Sequence, residues 1–107
     1  MSQIETLEDL LRRGQDSALL RYGLGNAYLQ AGRPEEAQAH FAEAVRQDSG
    51  YSAAWKLYGK VLAELGEHEK AIEVFARGIE VAERKGDRQA GKEMEVFRRR
   101  SQKALAA

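Results

Sequence analysis

Cysteine is absent from the 107-residue chain, and proline occurs only once. Without cysteine the chain has no disulfides, thiolate metal sites or thiol nucleophiles. Histidine, the side chain most often used by metal sites and by acid–base catalysis, occurs twice. We therefore expect no metal ion, no cofactor and no enzymatic activity.

An excess of one charge sign is also missing, because 17 Lys and Arg residues balance 17 Asp and Glu residues. A general nucleic-acid binder usually carries a strong basic field, so nucleic acid is not the expected partner. The charge is unevenly spread, since residues 87–107 hold six basic and three acidic groups. The run Arg98-Arg99-Arg100 in this segment is interpreted as a solvated helix face, with an acidic partner or RNA as the alternative.

Long apolar runs are absent, and the first residues show neither a basic start followed by an apolar segment nor a small-residue cleavage site. These are the signals that mark membrane spans and secretory leaders. The sequence therefore predicts a protein without membrane contact, located in the cytoplasm.

The chain repeats itself with a period of about 34 residues, which lies in the range typical of stacked helical arrays. The hydrophobic content of 43% is sufficient for one core, so a single domain over residues 1–107 is expected. Six positions match at this spacing: Gly25 with Gly59, Gly32 with Gly66, Glu35 with Glu69, Ala37 with Ala71, Phe41 with Phe75, and Ala42 with Ala76.

Each period predicts two helices separated by a glycine turn. The first helix carries apolar residues at i, i+4, i+7, i+8 and i+11, which is one helix face. Gly32 and Gly66 follow these helices, where a positive φ suits glycine, and Pro34 suits the first turn of the next helix. The apolar faces are Leu20, Leu24, Ala27, Tyr28 and Ala31, then Ala54, Tyr58, Val61, Leu62 and Leu65 for the first helices, with Ala37, Phe41, Ala44 and Val45, then Ala71, Phe75, Gly78 and Ile79 for the second ones.

The two ends of the chain predict further single helices. Leu7, Leu10 and Leu11 stand one period before Phe41, Ala44 and Val45, which indicates a degenerate half-repeat over residues 4–14. Repeat one then covers residues 18–51, with Asp16 or Ser17 as its N-cap, and repeat two covers residues 52–85.

After a break at Gly86-Asp87, a capping helix over residues 88–106 is expected. Its phase is two residues late relative to the repeat. Its apolar stripe is predicted at Ala90, Met94, Phe97, Ser101 and Leu105, and its outer face, with Arg98, Arg99 and Lys103, should be exposed to solvent.

These residues resemble the tetratricopeptide repeat family, whose pattern is W-x2-L-G-x2-Y followed by A-x3-F and a late Pro. Unit one supplies Leu24-Gly25-x2-Tyr28 and Ala37-x3-Phe41, whereas unit two supplies Trp55, Gly59 and Ala71-x3-Phe75. Arg21 departs from the pattern at the first Trp position. The resemblance implies an all-α fold, a short right-handed α-solenoid of antiparallel helix pairs with flanking helices at both ends.

The small residues of the pattern have a packing role. Gly25 and Gly59 should allow each first helix to approach its partner closely, with Ala37 and Ala71 at the facing positions. We expect Phe41 and Phe75 to wedge between successive units. The other candidate motifs are explained by structure, because Gly23-Leu24-Gly25 follows no strand, and His68-Glu69 is followed by Ile72 where a zinc motif needs histidine.

The face of each first helix opposite its apolar stripe should line a concave surface. In the tetratricopeptide family this side commonly binds peptides, and some members hold a C-terminal carboxylate with Asn and Lys/Arg side chains. Asn26 stands at the first Asn position of this carboxylate site, and Lys92 corresponds to another position of the site if its helix is shifted by two residues. Tyr22 and Leu57, however, replace a Lys and an Asn of the site. The predicted groove residues are Tyr22, Asn26, Leu29, Gln30, Lys56, Lys60 and Lys92.

The sequence therefore favours a protein–protein interaction module that binds a peptide or partner segment in the concave groove, with an acidic segment as one candidate. The alternative is a self-assembling module, in which the short array pairs with another copy. The expected state is a monomer or a weak homodimer, and sedimentation at several concentrations would separate the two hypotheses.

Overall fold

The computed structural model describes residues 2–107, and within this range the regular structure consists of six α-helices. They are α1 (Gln3–Arg12), α2 (Ala18–Gln30), α3 (Pro34–Gln47), α4 (Ser52–Glu64), α5 (His68–Lys85) and α6 (Arg88–Ala106). Consecutive helices pack against each other along the chain. The protein is an all-α helical repeat solenoid, as the repeat pattern predicts.

The helix starts follow local chemistry. Ser2 accepts a hydrogen bond from the Glu5 amide, and the Glu5 side chain returns to the Ser2 amide in a capping box. Of the two candidate caps before α2, Ser17 accepts from the Leu20 amide at 3.1 Å. Asp16 has another role, because its carboxylate accepts two hydrogen bonds from Arg21.

Glycines end the helices as expected. Gly32, Gly66 and Gly86 have φ values of 73°, 82° and 71°. This left-handed conformation is available to glycine without the clash that a Cβ causes. The short turns return the chain, so that α2 lies against α3 and α4 against α5.

The core runs continuously through the helices from α2 to α6. Phe41 and Phe75 are fully buried, and each ring lies over the glycine of its own unit. A Cβ added at Gly25 or Gly59 would approach the ring of Phe41 or Phe75 to well under 3.0 Å. The glycines therefore set the distance within each helix pair. The Phe75 ring also contacts Phe97 of the following helix α6.

The last helix closes the array on α5. Ala90, Met94 and Ser101 are buried, and Phe97 is half-buried with its ring centroid 5.9 Å from that of Phe75. The predicted stripe is wrong at its end, since Leu105 is 48% exposed. It is the last residue of the stripe, one helical turn beyond Ser101, which contacts His68 at the beginning of α5.

Arg98 also differs from its predicted exposure. Its side chain is half-buried and donates to Glu95 at 2.6 Å, while Arg99 is exposed as expected. No helix among residues 2–107 is both long enough and apolar enough to cross a membrane.

Candidate functional site

A groove opens where α2, α4 and α6 come together, and we call it the α2–α4–α6 groove. Its volume is about 590 Å³. The helices α2 and α4 are the first helices of repeats one and two, and α6 continues their row. The groove therefore runs across the array. It is lined by Leu29, Lys60, Val61, Ala63, Glu64, His68, Phe75, Phe97, Arg100 and Ser101.

Phe97 is the central side chain of this groove. The Lys60 ammonium lies 5.0 Å from its ring centroid, and the Arg100 guanidinium carbon lies 5.6 Å from it. Cations at this range are attracted by the ring quadrupole. The ring thus holds two positive groups, one from α4 and one from α6, at the edge of an apolar surface.

The groove has a net positive charge, because Lys60 and Arg100 face one carboxylate, that of Glu64. His68 is turned inward, with its Nδ1 3.1 Å from the hydroxyl of the buried Ser101. This contact ties the beginning of α5 to α6. The arrangement provides an apolar floor with cationic groups above it, which suits a chain segment carrying apolar and acidic side chains.

The structure brings some of the predicted groove residues together. Leu29 and Lys60 both line the α2–α4–α6 groove. Asn26 is partly exposed and Gln30 is exposed, on the same helix as Leu29. Tyr22 packs instead in an aromatic cluster, with ring centroids 4.9 Å from Tyr51 and 5.9 Å from Phe41.

Both predicted lysines of α4 have intramolecular contacts. The Lys56 ammonium lies 3.5 Å from the Glu93 carboxylate of α6, and its side chain is 26% exposed. Lys60 is engaged with the Phe97 ring. The sequence did not predict these partners, because the two-residue shift of α6 changes which of its residues lie beside α4.

Lys92 was predicted to join the same groove, and this grouping is wrong. It lines a different groove on the outer side of α5 and α6, together with Glu95 and Arg98. On α6, Lys92 is one residue before Glu93, about 100° around the helix axis. The side chain of Glu93 reaches α4, and Lys92 is therefore directed away from it.

Sequence analysis missed the groove roles of Phe97, Arg100 and His68. A signal for Phe97 was available, since with the two-residue shift of α6 it corresponds to Val61 of α4, which lines the groove. The assignment of Phe97 to the packing stripe concealed this match. Its ring serves both purposes, because it contacts Phe75 and also lies in the groove.

A second polar cluster connects α1 with α2 and α3. The rings of His40 and Tyr28 stack with centroids 5.4 Å apart, and Tyr28 donates to Glu8 of α1 at 2.9 Å. Burial lowers the pKa of His40 below its usual value, and the neighbouring Arg21 lowers it further. Hydrogen bonds from Arg21 and then from Gln47 hold the pKa of Asp16 well below its usual range.

These clusters do not form a catalytic arrangement. Ser101 is buried against His68 and is not open to a substrate. Residues 2–107 contain no group of three His, Asp or Glu side chains placed to hold a metal ion. What the described part of the chain offers is surface, in the form of grooves between helices.

A stack of helix pairs with an open groove across its first helices defines the class of helical repeat proteins. A family model described as Tetratricopeptide repeat matches residues 4–52 and again residues 22–88. The chain belongs to the tetratricopeptide repeat family.

Individual proteins support this assignment. A TPR repeat-containing protein of Pseudomonas aeruginosa is 46% identical over 101 residues, covering 94% of this chain and 96% of its own. A protein of Bordetella parapertussis, solved in solution, is 36% identical with a TM-score of 0.82, covering 99% of this chain and 92% of its own. The TPR2B domain of yeast Sti1, in a complex with pHsp70, has a TM-score of 0.86 at 13% identity, covering 94% of this chain and 81% of its own.

Proposed function

We propose that the protein is a binding module that holds an extended or helical segment of another protein in the α2–α4–α6 groove. The observation that carries this proposal is the apolar floor formed by Leu29 and Phe97 beneath the paired cations of Lys60 and Arg100. Such a surface combines burial for an apolar side chain with attraction for a nearby carboxylate. The preferred segment is therefore one in which apolar and acidic residues alternate or adjoin.

Other features agree with a binding role. The tetratricopeptide fold is commonly a protein-interaction module, and the yeast Sti1 domain of the same fold was solved with a protein partner. The described residues of this chain place no nucleophile beside a base in an open cleft. A binding module without chemistry of its own is consistent with these observations.

Peptide selection followed by charge reversal tests the proposal. Peptides would be selected from a random display library on the wild-type protein, and their affinities measured by fluorescence anisotropy. We expect the selected peptides to be enriched in Asp and Glu next to apolar residues. Lys60→Glu with Arg100→Glu should weaken their binding at least tenfold, because two attractions become repulsions.

The matched control is Lys70→Glu with Arg77→Glu. These two side chains line a separate groove on α5, and both are exposed, so the change in net charge is the same. Binding that survives reversal in the α2–α4–α6 groove, or that is lost equally in the control, would refute the assignment of the site. A library that yields no binder would count against the function itself.

A further inference from the structure

A second groove lies at the C-terminal end of the array, between the outer sides of α5 and α6, and we call it the end groove. Its volume is about 760 Å³. Small and aliphatic residues form its floor, and charged residues form its rim. The lining residues are Ala76, Ile79, Glu80, Ala82, Glu83, Gly86, Asp87, Arg88, Gly91, Lys92, Glu95 and Arg98.

The repeat register indicates what shape of partner this groove fits. The buried residues Ala90 and Met94 of α6 stand one period and two further positions after Ala54 and Tyr58 of α4. By the same offset, Glu95 of α6 corresponds to Gly59 of α4, which is covered by the Phe75 ring of α5. On α6, the end groove therefore occupies the position that α5 covers on α4. It has the shape of a site for one helix.

The side chains of the end groove favour reversible docking of a polar helix. Arg98 and Glu95 form an ion pair where α4 has Leu62 and Gly59. The Nε atom of Arg98 is buried and has no hydrogen-bond partner. Among the residues of 2–107 that are not exposed, it is the one side-chain nitrogen or oxygen in this condition. A helix with hydrogen-bonding and charged side chains next to a few apolar ones matches this surface better than a fully apolar helix does.

The helix α1 has these properties. Leu7, Leu10 and Leu11 stand at the repeat positions of Phe41, Ala44 and Val45, so α1 corresponds to the second helix of a unit. Ile4, Leu7 and Leu11 pack against the core, whereas Leu10 does not. Leu10 therefore remains on the side of α1 that is free to contact another surface.

The charges of α1 complement those of the end groove. In unit one, Gln47 near the end of α3 donates to Asp16 just before α2. Arg13 stands one period before Gln47, and Asp87, the N-cap of α6, lies at the corresponding end of α6. A copy of α1 docked in this register places its basic C-terminal end, Arg12 and Arg13, beside Glu83 and Asp87 of the groove. Within α1 both arginines pair only with Asp9, in exposed ion pairs.

Large exposed apolar residues occur on α2 and α6. Leu19 at the beginning of α2 is 71% exposed, and Val96 and Leu105 on α6 are 45% and 48% exposed. Among the described residues these are the exposed large hydrophobic side chains. Two of them are on α6, one of the two helices that form the end groove, and the third is on α2, the helix after α1.

From this complementarity we propose that the end groove binds the α1 helix of a second copy of this chain. The contact joins two different surfaces, so that each assembly retains a free α1 at one end and a free end groove at the other. Such heterologous association does not close after two subunits, and oligomers grow with concentration. The contacts are few and largely ionic, so association is weak and decreases with added salt.

Charge exchange between two variants tests this head-to-tail contact. Arg13→Glu places a carboxylate opposite Glu83, and Glu83→Arg places a cation opposite Arg13. Each variant alone should self-associate at least tenfold more weakly than wild type in sedimentation velocity between micromolar and millimolar concentrations. An equimolar mixture of the two should regain the wild-type association, because both of its mixed contacts pair opposite charges.

Circular dichroism and thermal melting should be unchanged in both variants, since both side chains are exposed. A wild-type protein that remains monomeric at millimolar concentration would overturn the proposal, as would a dimer that does not grow. Association that is unaffected by either variant, or that the mixture does not restore, would also exclude this contact.

Discussion

At the scale of single residues, two buried glycines determine how closely the helices of each pair approach. Gly25 and Gly59 have ordinary helical φ values, so conformational freedom does not explain their presence. The explanation is space, because the rings of Phe41 and Phe75 occupy the volume that a Cβ would fill. The repeat pattern predicted the close approach, and the structure identifies the group that makes it necessary.

Replacement of Gly59 by alanine should therefore destabilise the protein. Overpacking of this kind costs about 1–3 kcal/mol, which exceeds the gain of about 0.5–1 kcal/mol that alanine brings to a helix interior. The free energy of unfolding from urea titration measures the net effect.

Gly23→Ala is the matched control. A Cβ at Gly23 would lie 3.8 Å from Leu7, an ordinary contact, so this substitution should stabilise the protein by about 0.5–1 kcal/mol. If both substitutions were stabilising, the packing role of Gly59 would be wrong.

The environment of His40 predicts a dependence of stability on pH. The Tyr28 ring stacks on it, and the charged groups around it are Arg21, Glu8 and Asp16. Its pKa is lowered from 6.5, first by burial and then by Arg21. The unfolded chain therefore binds a proton more readily than the folded protein does. The stability due to neutral His40 is complete above about pH 6.5 and is lost as the pH falls toward the folded-state pKa.

Urea titrations between about pH 7.5 and 5 would measure this slope. We expect His40→Gln to flatten it, whereas His68→Gln, which leaves the surroundings of His40 intact, should keep it. An unchanged slope in His40→Gln would assign the effect to other groups. Glu43, whose pKa is lowered to about 2 by hydrogen bonds from Arg46 and Gln47, contributes in a lower range, since its stabilisation is lost as the pH falls below about 4.5.

At the scale of secondary-structure elements, the helices were largely predictable and the neighbours of each side chain were not. Gly32, Gly66 and Gly86 end helices as the pattern indicates, because positive φ is a local property of the chain. The partners of Lys56 depend on how α6 is rotated against α4, which no local pattern specifies. The candidate site therefore contains Leu29 and Lys60 as predicted, but its central ring, Phe97, was missed.

The last helix was likewise predicted only in part. Its apolar stripe is correct from Ala90 to Ser101, where α5 lies beneath it, and is wrong at Leu105. Periodicity in a sequence gives the face of a helix but not the point at which the supporting helix ends.

Two alanine substitutions in α6 compare these positions. Met94 is fully buried against Gly78, so Met94→Ala should cost about 2–5 kcal/mol through lost burial and a cavity. Leu105→Ala should change stability by no more than about 0.5 kcal/mol, since half of that side chain is in solvent. Equal losses in thermal or chemical unfolding would mean that the end of α6 packs more tightly than described.

At the scale of the whole molecule, the protein is a thin slab with extents of 43 × 31 × 18 Å. The shortest extent corresponds to about two helix layers at the usual spacing of about 8–10 Å. In such a slab the open grooves lie between neighbouring helices at the surface. For the proposed binding function, the question at this scale is which groove a partner enters.

Amide chemical-shift mapping of the ¹⁵N-labelled protein tests the central claim most directly. A peptide selected on the wild-type protein would be added stepwise, and the shifts of every amide followed. We expect the largest shifts at Leu29, Lys60, Ala63, Phe97 and Arg100, and their loss in the variant with Lys60→Glu and Arg100→Glu. Shifts centred on Lys70 and Arg77, or on the end groove at Glu83 and Lys92, would contradict the assignment of the binding site to the α2–α4–α6 groove.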